Sequence, residues 1–406
     1  MQESPIQAGS LSACPVHRDQ DDRKSAAIAA QRVKLPKNHK GISAFEQGRA
    51  ILRSPAMKQA GLEGAELAMD NPEQAPVFFL DGEPHRRKRG AIARFFTPKI
   101  IETRHQRIME ETTGALLAEL RAAGTGCLDQ MSWRLAVSVA GEVVGLSIGL
   151  DERQKLRLAH DIEGIMERTR LVGFSGLKYR VMDLFYTIRA LRFHFRHVLP
   201  AIRDRRKVPR EDIITHLIAE NYSAKAILME CMTYAGAGMV TTREFIVMVA
   251  WHLLDRPDLR SRYLASGKEE QMAMLEEILR LEPVATLIYR SAEASGLTLP
   301  EGISPGATYA INLRQANVDE AATGPCPFAL DPDRAKRMSG NGAYLSFGDG
   351  AHRCPGAQLA LTETRIFIDR LLRLPGIRLA TPPRVDWNDA LMSYELRGAI
   401  VICDAA

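Results

Sequence analysis

Leu345–Glu363 reads LSFGDGAHRCPGAQLALTE, and the reading of the whole chain turns on it. Ten of its residues hold Phe347, Gly348, Gly350, His352, Arg353, Cys354 and Gly356. Behind them Leu361, Ile368, Leu371 and Leu372 recur at helical spacing. A glycine-rich loop therefore delivers one cysteine to the start of a helix. Gly348 and Gly350 admit backbone conformations closed to other residues and let the loop come close to a flat ligand. Pro355 suits a first helical turn, where no backbone donor is missed. The helix start and Arg353 both favour negative charge, so Cys354 is expected to ionise below the free-thiol value of about 8.5. A thiolate held in this way is a nucleophile or a metal ligand. A buried structural cysteine is the plainer alternative.

The segment FGDGAHRCPG resembles the haem-binding loop of the cytochrome P-450 superfamily, F-x-x-G-x-x-x-C-x-G. Haem ligation by a cysteine thiolate is that family's known property. The resemblance implies a mainly α fold with small β-sheets. In it, haem b lies between a long central helix and the cysteine-loop helix. Cys354 is the metal ligand, with Phe347, Gly348 and Gly356 around the cofactor.

Composition agrees with a globular protein. The chain has 406 residues, 46% hydrophobic and 25% charged, with a net charge of +5. No run of eighteen or more apolar residues occurs, and the first residues lack the apolar core of a signal peptide. A cytoplasmic protein with no membrane partner is expected. No basic stripe with interleaved aromatics suggests nucleic acid. Cysteines 14, 127, 231, 326, 354 and 403 show no paired or metal-finger spacing and, Cys354 excepted, are expected as reduced cytoplasmic thiols.

Residues 1–40 are polar and are expected to form a flexible arm ahead of a single domain, 41–406. Ser43–Leu62 has helical spacing, with Ser43 as a candidate cap. NPEQAP marks a loop that, by the resemblance, caps the substrate pocket. In DGEPHRRKR, His85 and Arg89 lie four apart on one helical face. They resemble the family's D-x-x-x-H-x-x-x-R, whose histidine and arginine hold a haem propionate; a solvated basic helix is the other reading. Helical patterns follow at 100–122, 129–146, 152–170, 178–198 and 211–221. Residues 171–187 resemble the family's mobile lid.

Ser223–Leu254 is one apolar run, long enough at about 1.5 Å per residue to cross a domain as a single helix. Its middle, AGAGMVTTRE, resembles the family's A-G-x-[DE]-T-T at Ala237, Gly238 and Thr241. Glycine there leaves room for haem and dioxygen, and the threonine donates a hydrogen bond to the bound oxygen. Val240 stands where an acid is usual, and valine relays no proton. Glu244, or water led by Arg243, is expected to deliver protons instead. A Thr241 hydroxyl bonded back to its own helix is the competing reading.

Glu277 and Arg280 resemble the family's E-x-x-R, with Arg334 as third partner; the trio is expected to lock the cysteine loop. Arg290 resembles the arginine that holds the second propionate with His352. Residues 286–313 are expected to form short strands, 317–344 a meander, and 389–402 a terminal hairpin. The hairpin turn could bring Leu391, Met392 or Tyr394 over the haem. The implied enzyme is a monooxygenase that hydroxylates or otherwise oxidises an apolar or aromatic small molecule with O2. No flavin or nicotinamide fingerprint is present. Electrons are therefore expected from an iron–sulfur ferredoxin and its NAD(P)H-dependent reductase, docked on Arg86, Arg87, Lys88, Arg94 and Arg353. Peroxide-driven or other atypical chemistry on the same scaffold is the alternative. A non-catalytic haem sensor is a further one.

Overall fold

The computed structural model describes residues 21–60, 71–171, 174–293, 297–337 and 344–405. Expectations that fall on 1–20, 61–70, 172–173, 294–296, 338–343 and 406 lie outside the described residues. The helical run from Ala224 to Asp255 forms the axis of the core. Phe245, Ile246, Val247, Met248, Val249 and Ala250 are each at most 3% exposed. Burial of each large side chain among them stabilises the fold by roughly 1.5–3 kcal/mol. The helices Leu128–Val144 and Ala357–Leu372 pack against this run, and Gln106–Ala123 packs against both of them. Ser223 caps the run as the sequence predicts, accepting from the Ala226 amide at 3.1 Å.

The run is not uniform. It is α-helical to Tyr234, π-helical over Ala235–Val240 and α-helical again from Thr241. The π turn coincides with AGAGMV, where small side chains offer little packing to hold α geometry, and such turns often mark functional sites.

The strands are β1 His39–Ile42, β2 Met57–Ala60, β3 Thr125–Cys127, β4 Leu287–Ala292, β5 Thr308–Asn312, β6 Arg378–Thr381, β7 Arg384–Asn388, β8 Ser393–Arg397 and β9 Ile400–Ile402. One sheet runs β1-β5-β4-β2, a second β3-β9-β6, and β7 pairs with β8. β1 is parallel to β5, with Ile42 opposite Ile311.

Several expectations are corrected. Residues 21–40 are not a loose arm. Asp22 accepts from the Leu330 amide at 2.7 Å, Lys24 pairs with Asp255 at 2.6 Å, and buried Ser25 bonds Glu282. The helix expected over 43–62 is Phe45–Arg53, and its N-cap is Ala44, not Ser43. Pro55 disfavours helical geometry at Ser54, which sits at ψ 128°, and the chain turns into β2. The terminal hairpin is β7–β8 rather than 389–402, because β9 leaves to pair with β3 and β6. Tyr394 is fully buried and donates to the Glu282 carbonyl at 3.2 Å, so it does not overhang a site. Cys326 is disulfide-bonded, which departs from uniformly reduced thiols. The fold, not sequence spacing, decides which cysteines meet.

Candidate functional site

The Cys354 loop is folded by its own backbone. The Cys354 amide donates to the Phe347 carbonyl at 2.8 Å, and the Gly348 amide to Leu345 at 2.7 Å. Gly348 and Gly350 both have φ +67°, which favours glycine. At Gly350 a Cβ would also overlap the Leu52 carbonyl oxygen. That glycine is therefore required by the protein's own packing, beyond any ligand. The helix starts at Ala357 with Gly356 as its N-cap, so Pro355 precedes it.

Burial pushes the Cys354 thiol up, while the Gly356 amide, Arg89, Arg353 and the Ala357 amide pull it down. Burial wins, which reverses the expectation of a depressed value. Although the residue is half-exposed, enough protein surrounds the sulfur for desolvation to dominate.

The expected charge trio is formed and reaches the loop. Arg280 donates to both oxygens of Glu277, at 2.7 and 2.8 Å, and Arg334 donates to Glu277 at 3.1 Å. Both arginines also donate to backbone carbonyls, Arg280 to Asn317 and Pro327 and Arg334 to Thr323 and Cys326. A buried ionic group needs this degree of satisfaction. The link to the loop is Asn317, which sequence reasoning missed. Its Nδ2 donates to the Arg280 carbonyl and to Ser346 Oγ, and its Oδ1 accepts from the Leu345 amide at 2.6 Å.

His85, Arg89, Arg290 and His352 come together beside this loop, from the helix Gly82–Ala93, from β4 and from the loop itself. His85 is buried and stacks on His352, and Arg89 donates to the Arg353 carbonyl. His352 Nε2 lies 3.0 Å from Asp81 Oδ1. Arg290 is 3% exposed and donates to Gln59 and to the Tyr289 carbonyl. Its guanidinium is lowered to about 10 by burial, with Asp81 opposing. Burial, then the charges of His352 and Arg89, lowers His85 to about 4. The carboxylate of Asp81 acts on His352, His85 and Arg290, and Arg89 stands on the Cys354 side, a donor set suited to anionic groups. Asp81 was the unassigned first letter of a motif, and Gln59 gave no signal.

The central helix passes with one strip uncovered. Ala237 is exposed and Gly238 and Thr241 are half-buried, although Ala235, Met239 and Val240 are buried. Thr241 Oγ1 donates to the Ala237 carbonyl at 2.7 Å, and Thr242 Oγ1 to Gly238 at 2.6 Å. The competing reading of Thr241 is therefore the one observed.

The role expected of Glu244 is corrected. It is fully buried, and it accepts from the Leu396 amide at 2.7 Å, Arg397 at 2.7 Å and Arg243 at 3.0 Å. Arg243 is occupied too, by Glu163 at 3.0 Å and by the Trp133 ring 4.7 Å away. Both residues tie the helix to its neighbours. Phe347 packs half-buried against the core, its ring 6.2 Å from that of Tyr344.

Comparisons with known proteins agree on one kinship. A family model described as Cytochrome P450 matches residues 272–380. The chain is 26% identical over 391 residues to nocardicin C N-oxygenase of Nocardia uniformis subsp. tsuyamanensis, covering 88% of each chain. It is 25% identical to cytochrome P450 monooxygenase PikC of Streptomyces venezuelae, covering 89% of this chain and 84% of that one. The crystal structure of ligand-free Mycobacterium smegmatis CYP164A2 superimposes with a TM-score of 0.70 at 26% identity, covering 91% and 92%.

Proposed function

The chain belongs to the cytochrome P450 family and is a monooxygenase with haem b as its cofactor; we propose that Cys354 is the haem ligand and that the substrate is an apolar or aromatic small molecule, hydroxylated or otherwise oxidised. The observation that carries this reading is the grouping of the Cys354 loop, the cluster of Arg89, Arg290, His85 and His352, and the uncovered strip Ala237–Thr241. The donor set fits the cofactor. Cys354 offers the axial sulfur, and Arg89 and Arg290, with His85 and His352, offer charge-assisted donors to two propionates. Haem, when bound, supplies dioxygen activation and oxygen transfer. This chain's part is to hold and orient. Asn317 and the Glu277 trio fix the loop that presents the sulfur, and Gly238 keeps the strip low.

Electrons come from a separate protein in this family, and an acidic iron–sulfur ferredoxin with its NAD(P)H-dependent reductase is the partner proposed. Arg86, Arg87, Arg94 and Arg353 are the docking cations. Lys88 leaves the set, because it is buried against Glu230. Turnover that falls as salt rises is expected, and turnover indifferent to ionic strength sinks the docking model.

A second reading, peroxide-driven oxidation, is favoured by one fact. Between Ala237 and Glu244 the only carboxylate is committed to Leu396, Arg397 and Arg243, and the Thr241 hydroxyl is turned onto its own helix.

The decisive experiment is optical. The reduced protein with carbon monoxide should give the red-shifted Soret band of a thiolate-ligated haem, and Cys354→Ser should abolish it. A Cys354→Ser protein with an unchanged spectrum ends the proposal. Turnover with peroxide and none with ferredoxin selects the second reading.

A further inference from the structure

The helix Gly176–Phe193 and its π-helical continuation His194–Val198 carry two apolar faces. Tyr186, Phe193 and Val198 are buried inward. On the other side Leu177, Val181, Leu184, Ile188, Leu191 and Phe195 are 77, 58, 61, 56, 49 and 63% exposed. Their spacing of four, three, four, three and four residues draws one straight stripe about 27 Å long. A monomer rarely leaves more than about 300–600 Å² of contiguous apolar surface in water, usually at a functional patch. Arginines border the stripe. Arg192 and Arg196 share Asp161 at 2.6 and 3.0 Å, with His197 on the same carboxylate at 2.9 Å. With Arg153, Arg157 and His160 of the helix Glu152–Met166 they line a surface groove of about 660 Å³. Among the described residues neither Arg153 nor Arg157 is paired with a carboxylate.

We propose that this face docks on an anionic lipid bilayer, with the stripe at the headgroup–acyl boundary and the arginine groove on lipid phosphates. An apolar face edged by cations is the chemistry of an interfacial helix. No helix among the described residues is long and apolar enough to cross a membrane, so the contact is peripheral. It departs from the expectation of no membrane partner. An acidic protein would answer the arginines but leave the stripe in water. A second copy would set the same arginine borders against each other. The placement also serves the reaction. The helix beneath, Glu152–Met166, reaches the central helix through Glu163–Arg243, and Met166 sulfur lies beside Gly236. An apolar substrate dissolved in the bilayer would meet the protein on the side where this helix pair packs against the π turn of the central helix.

The test is co-sedimentation of the haem-loaded full chain with vesicles of phosphatidylcholine alone or with about one quarter phosphatidylglycerol, at low and high salt. Partition onto the anionic vesicles is expected to exceed that onto neutral ones at least about tenfold and to weaken with salt. Each arginine near an anionic surface contributes about fivefold, so Arg153→Gln with Arg157→Gln should cut anionic partition at least about tenfold. Ile188→Glu with Leu191→Glu should abolish it. Melting curves verify that each variant folds, and if the glutamate pair does not, the arginine pair carries the test. Equal or absent partition onto the two vesicles overturns the proposal. So does a dimer in sedimentation velocity that the glutamate pair splits, or binding of a ferredoxin through this face in place of vesicles.

Discussion

The imidazole of His85 stacks on that of His352, with ring centroids 4.0 Å apart and planes 29° from parallel. The two rings come from segments 267 residues apart, and the His352 Nε2 lies 3.0 Å from Asp81 Oδ1. Burial and neighbouring cations keep His85 neutral at pH 7, its value lowered to about 4. Such repulsion among donors is relieved when an anion enters.

Arg290 and Arg89 should therefore govern cofactor retention. A charge-assisted hydrogen bond to a carboxylate is worth about 1.5–3 kcal/mol, or roughly tenfold to a hundredfold in rate of release. Arg290→Leu and Arg89→Leu are each expected to speed haem transfer to apomyoglobin by at least about tenfold. His85→Phe, which keeps the stack and loses the N–H, should have a smaller effect. Arg290→Leu protein that keeps its haem as long as the parent refutes the propionate assignment.

Asn317 joins the charge trio to the cysteine loop through three hydrogen bonds. It is fully buried. Asn317→Ala leaves the Leu345 amide and the Arg280 carbonyl without these partners, at a cost of about 2–4 kcal/mol. Urea unfolding should show the loss as a lower midpoint with the slope unchanged. A variant as stable as the parent means that the trio and the loop are anchored separately.

That residue also marks where the sequence stopped being legible. Cys354, the Glu277–Arg280–Arg334 trio and the cluster of His85, Arg89, Arg290 and His352 were readable because their spacing is fixed by local backbone or motif order. Asn317, Gln59 and the tie of Glu244 to Leu396 were not, because each meets its partner across at least 28 residues. Helical period found the segment 178–198 but not which apolar face looks inward; two faces carry large side chains, and only packing separates them. The direction at Cys354 failed for a related reason. Helix start and arginine were visible in the chain, whereas the burial that outweighs them is a property of the fold.

Glu244 lies one turn beyond Thr241 yet belongs to the scaffold. Its carboxylate accepts from a backbone amide and two arginines. Glu244→Gln presents an amide donor to one side or the other and removes the closest counter-charge of Arg397 and one of the two of Arg243, which keeps Glu163. A stability loss of about 2–4 kcal/mol is expected, with coupling of electron use to product unchanged. Uncoupled turnover in a variant of undiminished stability would restore the proton-delivery role.

Glu363, one helical turn and more beyond the loop on the cysteine helix, is buried with Oε1 lacking a hydrogen-bond partner. Burial raises its carboxyl to about 8. The folded protein therefore keeps a proton at pH 7 that the unfolded chain, with an ordinary value of 4.5, has lost. The folded state binds more protons between those two values, so stability is highest below 4.5 from this group's standpoint and falls as pH rises toward 8. The slope is at most about 1.4 kcal/mol per pH unit. Glu363→Gln holds the neutral form at every pH. It should remove this component of the pH dependence, leaving the variant more stable than the parent at pH 8 and nearly equal to it at pH 5. Parallel unfolding midpoints for the two proteins across pH 5–8 would mean that the Glu363 carboxyl finds a partner in solution and ionises normally.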